Sequence, residues 1–259
     1  MYTLNRFLIS MKTINSYLLL GVVFLGILSA QGQEPGYRRV FRLNPSKNQN
    51  FAVSGQLLWH SRYVSEGVNN LPGSSLLASE LQLSIRDFGA GVWWGKGLQE
   101  RYNELNFFAF YEFELRPIEF VLGVEISTQP SPGGPATAEL FAEMAHQPIP
   151  AINLFLIALY DFIEEQGGYI ETGAEIPLSF AEVRLNITPY SLISLDLGYM
   201  SEPRTPALNH FQFGAIAELL ITDNILFLTN LNQSIALTNL RDEGLGDQWW
   251  IETGVGFEF

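Results

Sequence analysis

Residues 248–259 read Gln248-Trp249-Trp250-Ile251-Glu252-Thr253-Gly254-Val255-Gly256-Phe257-Glu258-Phe259. Trp249, Ile251, Val255, Phe257 and Phe259 share one parity; Gln248, Trp250, Glu252, Gly254, Gly256 and Glu258 share the other. Period two marks a strand with one apolar and one polar face. Behind an export signal, such an ending suits a closed barrel whose last strand turns alternate residues to lipid. It also suits the last strand of a soluble sandwich, so the rest of the chain must separate the two.

The other end carries that signal. Lys12 precedes an apolar run from Tyr17 to Leu28, and Ala30-Gln31-Gly32 follows as a small-x-small cleavage site. Residues 1–32 therefore read as a signal peptide, with the mature chain starting at Gln33 and translation at Met1 or Met11. The run is too short to span a bilayer, and no later segment is long and apolar enough for a membrane helix. Residues 33–50 are expected to be a periplasmic N-terminal segment. The chain has no cysteine, which excludes disulfides, thiol catalysis and thiolate metal sites. It has 14 Lys and Arg against 27 Asp and Glu, and residues 1–32 hold two of those bases, Arg6 and Lys12, and no acid. The mature charge is thus 12 − 27, or −15, which argues against nucleic acid as a partner. Aromatic content of 13% suits the girdles that meet bilayer interfaces.

From Phe51 onward, alternating runs recur between Gly, Pro, Asn and Asp. Phe51, Val53, Leu57, Trp59 and Tyr63 oppose Ala52, Ser54, Gln56, His60 and Arg62; Leu81, Leu83 and Ile85 oppose Glu80, Gln82, Ser84 and Arg86. Leu105, Phe107, Ala109, Tyr111 and Phe113 oppose Glu104, Asn106, Phe108, Phe110, Glu112 and Glu114. After Arg116-Pro117, Ile118 to Ile126 oppose Glu119, Val121, Gly123, Glu125 and Ser127. A third strand is read over 90–97, and further ones over 137–146, 151–161, 169–178, 191–200, 210–221, 224–234 and 248–259, with 179–190 either extending the ninth or forming a longer turn. Short turns alternate with longer loops at 62–75, 98–103, 129–136, 162–168, 201–209 and 235–247, as a barrel with periplasmic turns and outer loops requires. The expected fold is all-β: a transmembrane antiparallel β-barrel of about twelve strands over 51–259, in a bacterial outer membrane, with lipid outside and polar residues inside.

Two stretches carry a family likeness. Ser61-Arg62-Tyr63-Val64-Ser65-Glu66-Gly67 resembles the Ser-x-Tyr-x-x-x-Gly element that closes the first strand in the TorF-type family of porin-like barrels, and Phe88-Gly89-Ala90-Gly91-Val92-Trp93-Trp94-Gly95 resembles that family's Gly/aromatic third strand. Glu104 and Tyr111 stand where the family has an acid and an aromatic. The likeness covers residues 51 to about 126. It departs at Arg62 and Glu66, where the family has an acid and a base, a swap that would keep an ion pair across the strand mouth. The resemblance implies a barrel and passive permeation; it supplies no substrate and no catalytic residue. Likeness to outer-membrane barrels in general makes Phe257 and Phe259 the assembly signal read by the barrel-insertion machinery.

No enzyme signature appears. His60, His146 and His210 match no Ser/His motif of a barrel lipase and are expected as rim or lumen histidines bonded to acids. Glu139, Glu143 and His146 would share a face only on a helix; on a strand the two acids face the lumen and His146 points away, so no metal and no cofactor is expected. The inward acids are the functional signal: Glu80, Glu104, Glu112, Glu114, Glu119, Glu125, Glu171, Glu175 and Glu252 line the lumen, joined by Glu139, Glu143, Asp196, Glu218 and Glu258. Arg86 is their candidate base, with Lys96, Arg184 and Arg62. Such rings select counter-ions in a wet pore. Two readings remain, a diffusion channel passing small solutes or cations and a closed structural or surface-interaction barrel.

Overall fold

The computed structural model describes residues 51–128, 136–200 and 205–259. The expected export signal and the 33–50 segment lie outside the described residues, as do most of the 129–136 loop and part of the 201–209 loop. Twelve strands make the wall: β1 Ala52–His60, β2 Leu76–Ile85, β3 Phe88–Gly97, β4 Asn103–Leu115, β5 Ile118–Thr128, β6 Ala136–Ile149, β7 Ile152–Asp161, β8 Gly168–Glu175, β9 Leu185–Leu197, β10 Ala207–Leu220, β11 Ile225–Ala236 and β12 Gln248–Glu258. Each pairs antiparallel with its successor, and β12 pairs back onto β1, Leu58 facing Gly254. The barrel is closed, so no row of backbone donors and acceptors faces lipid. Among the described residues no helix is long and apolar enough to cross a membrane.

Loop length orients it. The connections at 86–87, 116–117, 150–151, 176–184 and 221–224 lie at one end, which also holds both ends of the described chain. The other end carries most of the longer loops and is the extracellular one by that asymmetry. Parity then assigns the faces. Leu83, Phe107, Leu122, Leu231 and Val255 point outward and leave 46–52% of their surface uncovered. In water, at ~25 cal/mol per Å2, that belt would be strongly unfavourable; in hydrocarbon it costs nothing. The barrel therefore sits in the bacterial outer membrane.

Size complementarity runs around the inner wall. Cross-strand register sets Gly89 against Phe110, Gly91 against Phe108, Gly123 against Phe141, Gly173 against Phe155 and Gly214 against Tyr190. In each case a β-carbon on the glycine would meet the facing ring at under 3.0 Å, so the ring occupies the space the glycine leaves. Phe108, Phe110 and Val121 form one buried apolar cluster with Phe141 against it; Phe155, Ile157, Tyr190, Leu192 and Ile216 form another.

Several sequence readings are corrected in detail. The ninth strand starts at Leu185, not at residue 191, and ends at Leu197; the ambiguous stretch divides into a short paired piece, Leu178–Phe180, a single turn of 3-10 helix, Ala181–Val183, and the start of β9. The turn read at 147–150 narrows to Pro150 and Ala151, because β6 runs on to Ile149 through a register shift after His146. Tyr63 does not continue the outward face of β1: the chain leaves the wall after His60 and carries this ring inward, against Leu71, Trp93 and Tyr102. The 235–247 loop holds a short helix, α1 Thr238–Asp242.

Candidate functional site

The site is the lumen and its extracellular mouth. Parity places Glu80, Glu104, Glu112, Glu114, Glu119, Glu125, Glu171, Glu175 and Glu252 on the inward face. Glu80, Glu104, Glu171, Glu175 and Glu252 are buried, Glu112 and Glu125 half-buried, while Glu114 and Glu119 are exposed at the periplasmic end beside the Arg116-Pro117 turn. The bases are not among them. Arg86 occupies the β2–β3 turn, exposed and in the left-handed region at φ 54°. Lys96 shares the outward parity of Trp94, since it faces Leu77 and Asn103 across the sheet. Arg184 lies in the 176–184 turn, with Nη2 2.6 Å from Asp223. Arg62 donates to Gln248 at 3.0 Å and stacks 5.4 Å above the Trp249 ring, while Glu66 turns into the mouth, so the exchanged charges go separate ways. Among the described residues no Lys or Arg stands on the inward face of any strand.

Arg116 Nε, in the periplasmic turn, donates to Glu114 at 3.1 Å; deeper in the barrel, neutral donors hold several of the acids. Glu104 accepts from the Tyr63 and Tyr102 hydroxyls and from Asn106 Nδ2 at 2.7 Å; the same amide donates to Glu125 at 2.8 Å, which also accepts from Ser127. Glu252 accepts from Trp250 Nε1 at 3.0 Å and Asn230 Nδ2 at 3.2 Å, with His60 Nδ1 at 3.2 Å. Asn153 donates to Glu175, Tyr199 to Glu139, Thr137 to Asp161, and Asn239 to Asp196. Each such bond replaces water for a carboxylate oxygen that the fold has buried. Burial first, then the adjacent Glu104 carboxylate, raises the pKa of both the Tyr63 and Tyr102 phenols in the outer loops, so they remain donors.

The histidines divide. His60 faces Glu252, and His210 Nε2 lies 3.9 Å from Glu171 Oε1, both inside the barrel. His146 turns outward, as the strand reading of this segment has it, and only its partner is corrected: Nδ1 meets the Pro117 carbonyl at 3.1 Å rather than an acid. Segment 136–149 is a strand, and among the described residues no three acid or histidine side chains are arranged to hold a metal ion.

Above the acids the mouth is filled. The 61–75 loop folds inward, Val64–Ser65 pairing with Val68–Asn69, and α1 comes down opposite it with Leu240 fully buried. Asn209, His210, Tyr169 and Ser194 form one hydrogen-bonded group beneath them. Sequence reading missed this group and the donors to the acids, although several lie two residues from their partner on one strand face: Glu104 and Asn106, Glu125 and Ser127, Trp250 and Glu252.

Closed, antiparallel, apolar outside and polar within, the chain is an outer-membrane β-barrel of porin architecture. No family model matches it, and no curated protein matches it. Among solved structures it is similar to the KdgM porin, at 10% identity and a TM-score of 0.56 over 80% of this chain and 99% of that one. It is also similar to the NanC porin, at 10% identity and 0.51 over 80% and 98% respectively, and to a KdgM porin in complex with disordered oligogalacturonate, at 8% and 0.52. These likenesses establish a shared fold, and the TorF-type resemblance of residues 51–126 gains no family match.

Proposed function

We propose that the barrel is a passive channel for small solutes that favours cations. The observation that carries this is the sign of the inner wall: nine of the twelve strands turn carboxylates inward, and no described Lys or Arg stands on an inward strand face. Fixed charge in a narrow aqueous bore raises the concentration of the opposite ion. The polar side also presents buried atoms without a protein hydrogen-bond partner, Gln82 Oε1, Asn232 Nδ2 and Ser234 Oγ. Oligogalacturonate, the ligand named for one similar barrel, is a polyanion. Carboxylates would repel it, so this chain uses a like architecture for other solutes.

Reconstituted in planar bilayers under a KCl gradient, the protein is expected to give a cation-selective reversal potential that shrinks as salt rises and screens the exposed charges. Combining Glu112→Gln, Glu125→Gln and Glu171→Gln should reduce the preference while the unboiled protein still migrates as a folded barrel. Anion selectivity would reject the proposal. Conductance indistinguishable from bare lipid would leave a closed structural barrel, a reading the filled mouth favours.

Export and assembly belong to the same proposal. Residues 1–32 direct secretion, and Phe257 and Phe259 act as the insertion machinery's signal. Phe259 also closes the seam: its backbone N–H donates to the Val53 carbonyl and its carbonyl accepts from the Val53 N–H, each at 2.9 Å. Deleting Phe259 is expected to lower outer-membrane yield several-fold on immunoblots; equal insertion of the truncated chain would count against the assignment.

A further inference from the structure

We propose that the outward rim of β3, centred on Lys96 with Arg101 beyond it, is a docking site for a phosphorylated lipid of the outer leaflet. The inference stands on the fold and its orientation and is independent of the channel reading. Among the described residues, Lys96 is the one Lys, Arg, Asp or Glu on the outward face of any wall strand, and it is exposed. It follows Phe88 by eight residues, about 26 Å along the strand or about 20 Å along the membrane normal at the usual barrel tilt. Phe88 packs 4.6 Å from the Tyr111 ring in the periplasmic aromatic girdle. That separation brings the Lys96 ammonium, on its long stem, to the outer edge of the apolar band.

Tryptophans mark the same level. Trp94 lies two residues below on the same face, and its Nε1 donates at 2.6 Å to Oδ1 of Asn103, the cross-strand partner of Lys96. Trp59 stands in the same outward row as Lys96, with Leu77 between them. Further round the rim, Arg62 is stacked over the outward Trp249. Tryptophan at this height belongs to the boundary between hydrocarbon and water, where lipid phosphates lie. Arg101, exposed in the turn that the Gly97–Tyr102 hydrogen bond closes, adds a guanidinium beyond the strand end.

Bases are paired differently at the two ends. In the periplasmic turns Arg116 reaches Glu114 at 3.1 Å and Arg184 reaches Asp223 at 2.6 Å. Among the described residues neither Lys96 nor Arg101 is in ion-pair contact with an acid. Glu100, next to Arg101, is turned elsewhere: a β-carbon on Gly73 would meet its Oε1 at 3.0 Å. An ammonium at the edge of hydrocarbon is unfavourable unless an anion meets it, and a phosphate offers charge and acceptor oxygens to ammonium and guanidinium alike. A lipid fits this place better than a protein acid, because its chains would lie on Trp94, Leu105 and Phe107, which continue the same face down into the apolar belt.

The test titrates the barrel, folded in zwitterionic detergent, with diphosphoryl lipid A and reads the bound fraction by native mass spectrometry. Combining Lys96→Gln with Arg101→Gln should raise the apparent Kd about tenfold or more, the effect of losing two cations at an anionic surface. Lys96→Arg should bind as the unaltered protein does. Arg86→Gln, which removes an exposed base from the opposite end, should change nothing. Lipid A stripped of its phosphates should bind the unaltered barrel as weakly as diphosphoryl lipid A binds the double variant, and millimolar inorganic phosphate should not compete. All variants are first shown to be heat-modifiable; should the double variant not fold, Lys96→Gln alone carries the test, with a several-fold loss expected. Undiminished binding by the variants that fold, equal weakening by Arg86→Gln, or equal affinity for the stripped lipid would overturn the site. Displacement by free phosphate would overturn the assignment to a lipid.

Discussion

Gly254→Val is expected to abolish the folded barrel, whereas Gly256→Ala, two residues along β12, leaves it intact. Both glycines share the inward parity of the closing seam. A β-carbon on Gly254 would overlap the Leu57 carbonyl oxygen, and backbone in a ladder cannot step aside as a flexible side chain can. On Gly256 the nearest atom would be Leu226 Cδ1 at 3.4 Å, an ordinary contact. The cost at Gly254 therefore exceeds the ~3 kcal/mol that marks the upper range of core overpacking, and it falls on the one joint that closes the sheet. Unboiled gel migration and urea titration of refolded protein measure it. Equal stability of the two variants would mean that the seam is looser than described.

Glu252→Ala is expected to cost about 3–5 kcal/mol, since it strands the buried Trp250 indole, removes an acceptor from the Asn230 amide and takes away the partner of His60, a buried donor left bare costing about 1–3 kcal/mol. Glu252→Gln keeps an acceptor oxygen and should lose less than half of that, while removing one lumen charge. Tryptophan fluorescence during urea unfolding reports the first quantity and ion selectivity the second. If alanine and glutamine proved equally stable, the carboxylate would be a solvated wall charge and not a structural acceptor.

How far the sequence reached is visible in particular residues. Parity placed Glu80, Glu125 and Glu252 inward and Trp249 and Val255 outward, because period two is a local property of the strand. It misplaced Tyr63 and Lys96: one lies just past a strand end, where parity ceases to apply, and the other was counted with the bases answering the inward acids although it shares the outward parity of Trp94. It expected bases to answer the acids and found amides, phenols and an indole, since Asn106 or Trp250 can be recognised as a donor only once its side chain is known to share a face with Glu104 or Glu252. The inward fold of the 61–75 loop was out of reach for a different reason. Nothing within 61–75 states that Asn209 and Leu240, far along the chain, supply its seat.

The pairing of inward rings with inward glycines has a consequence for how the sheet finds its alignment. A shift of one residue between strands would throw lumen side chains into lipid, which alternation alone forbids. A shift of two preserves every face and is invisible to that pattern. Between β3 and β4 it would move Gly91 from Phe108 to Phe110 and press Trp93, now opposite Asn106, against Phe108. The glycines thus act as keyways, each cut for one bulky tooth on the adjoining strand. They select a single alignment among those that hydrophobicity treats as equal, and they do so by volume, which neither salt nor protonation can alter.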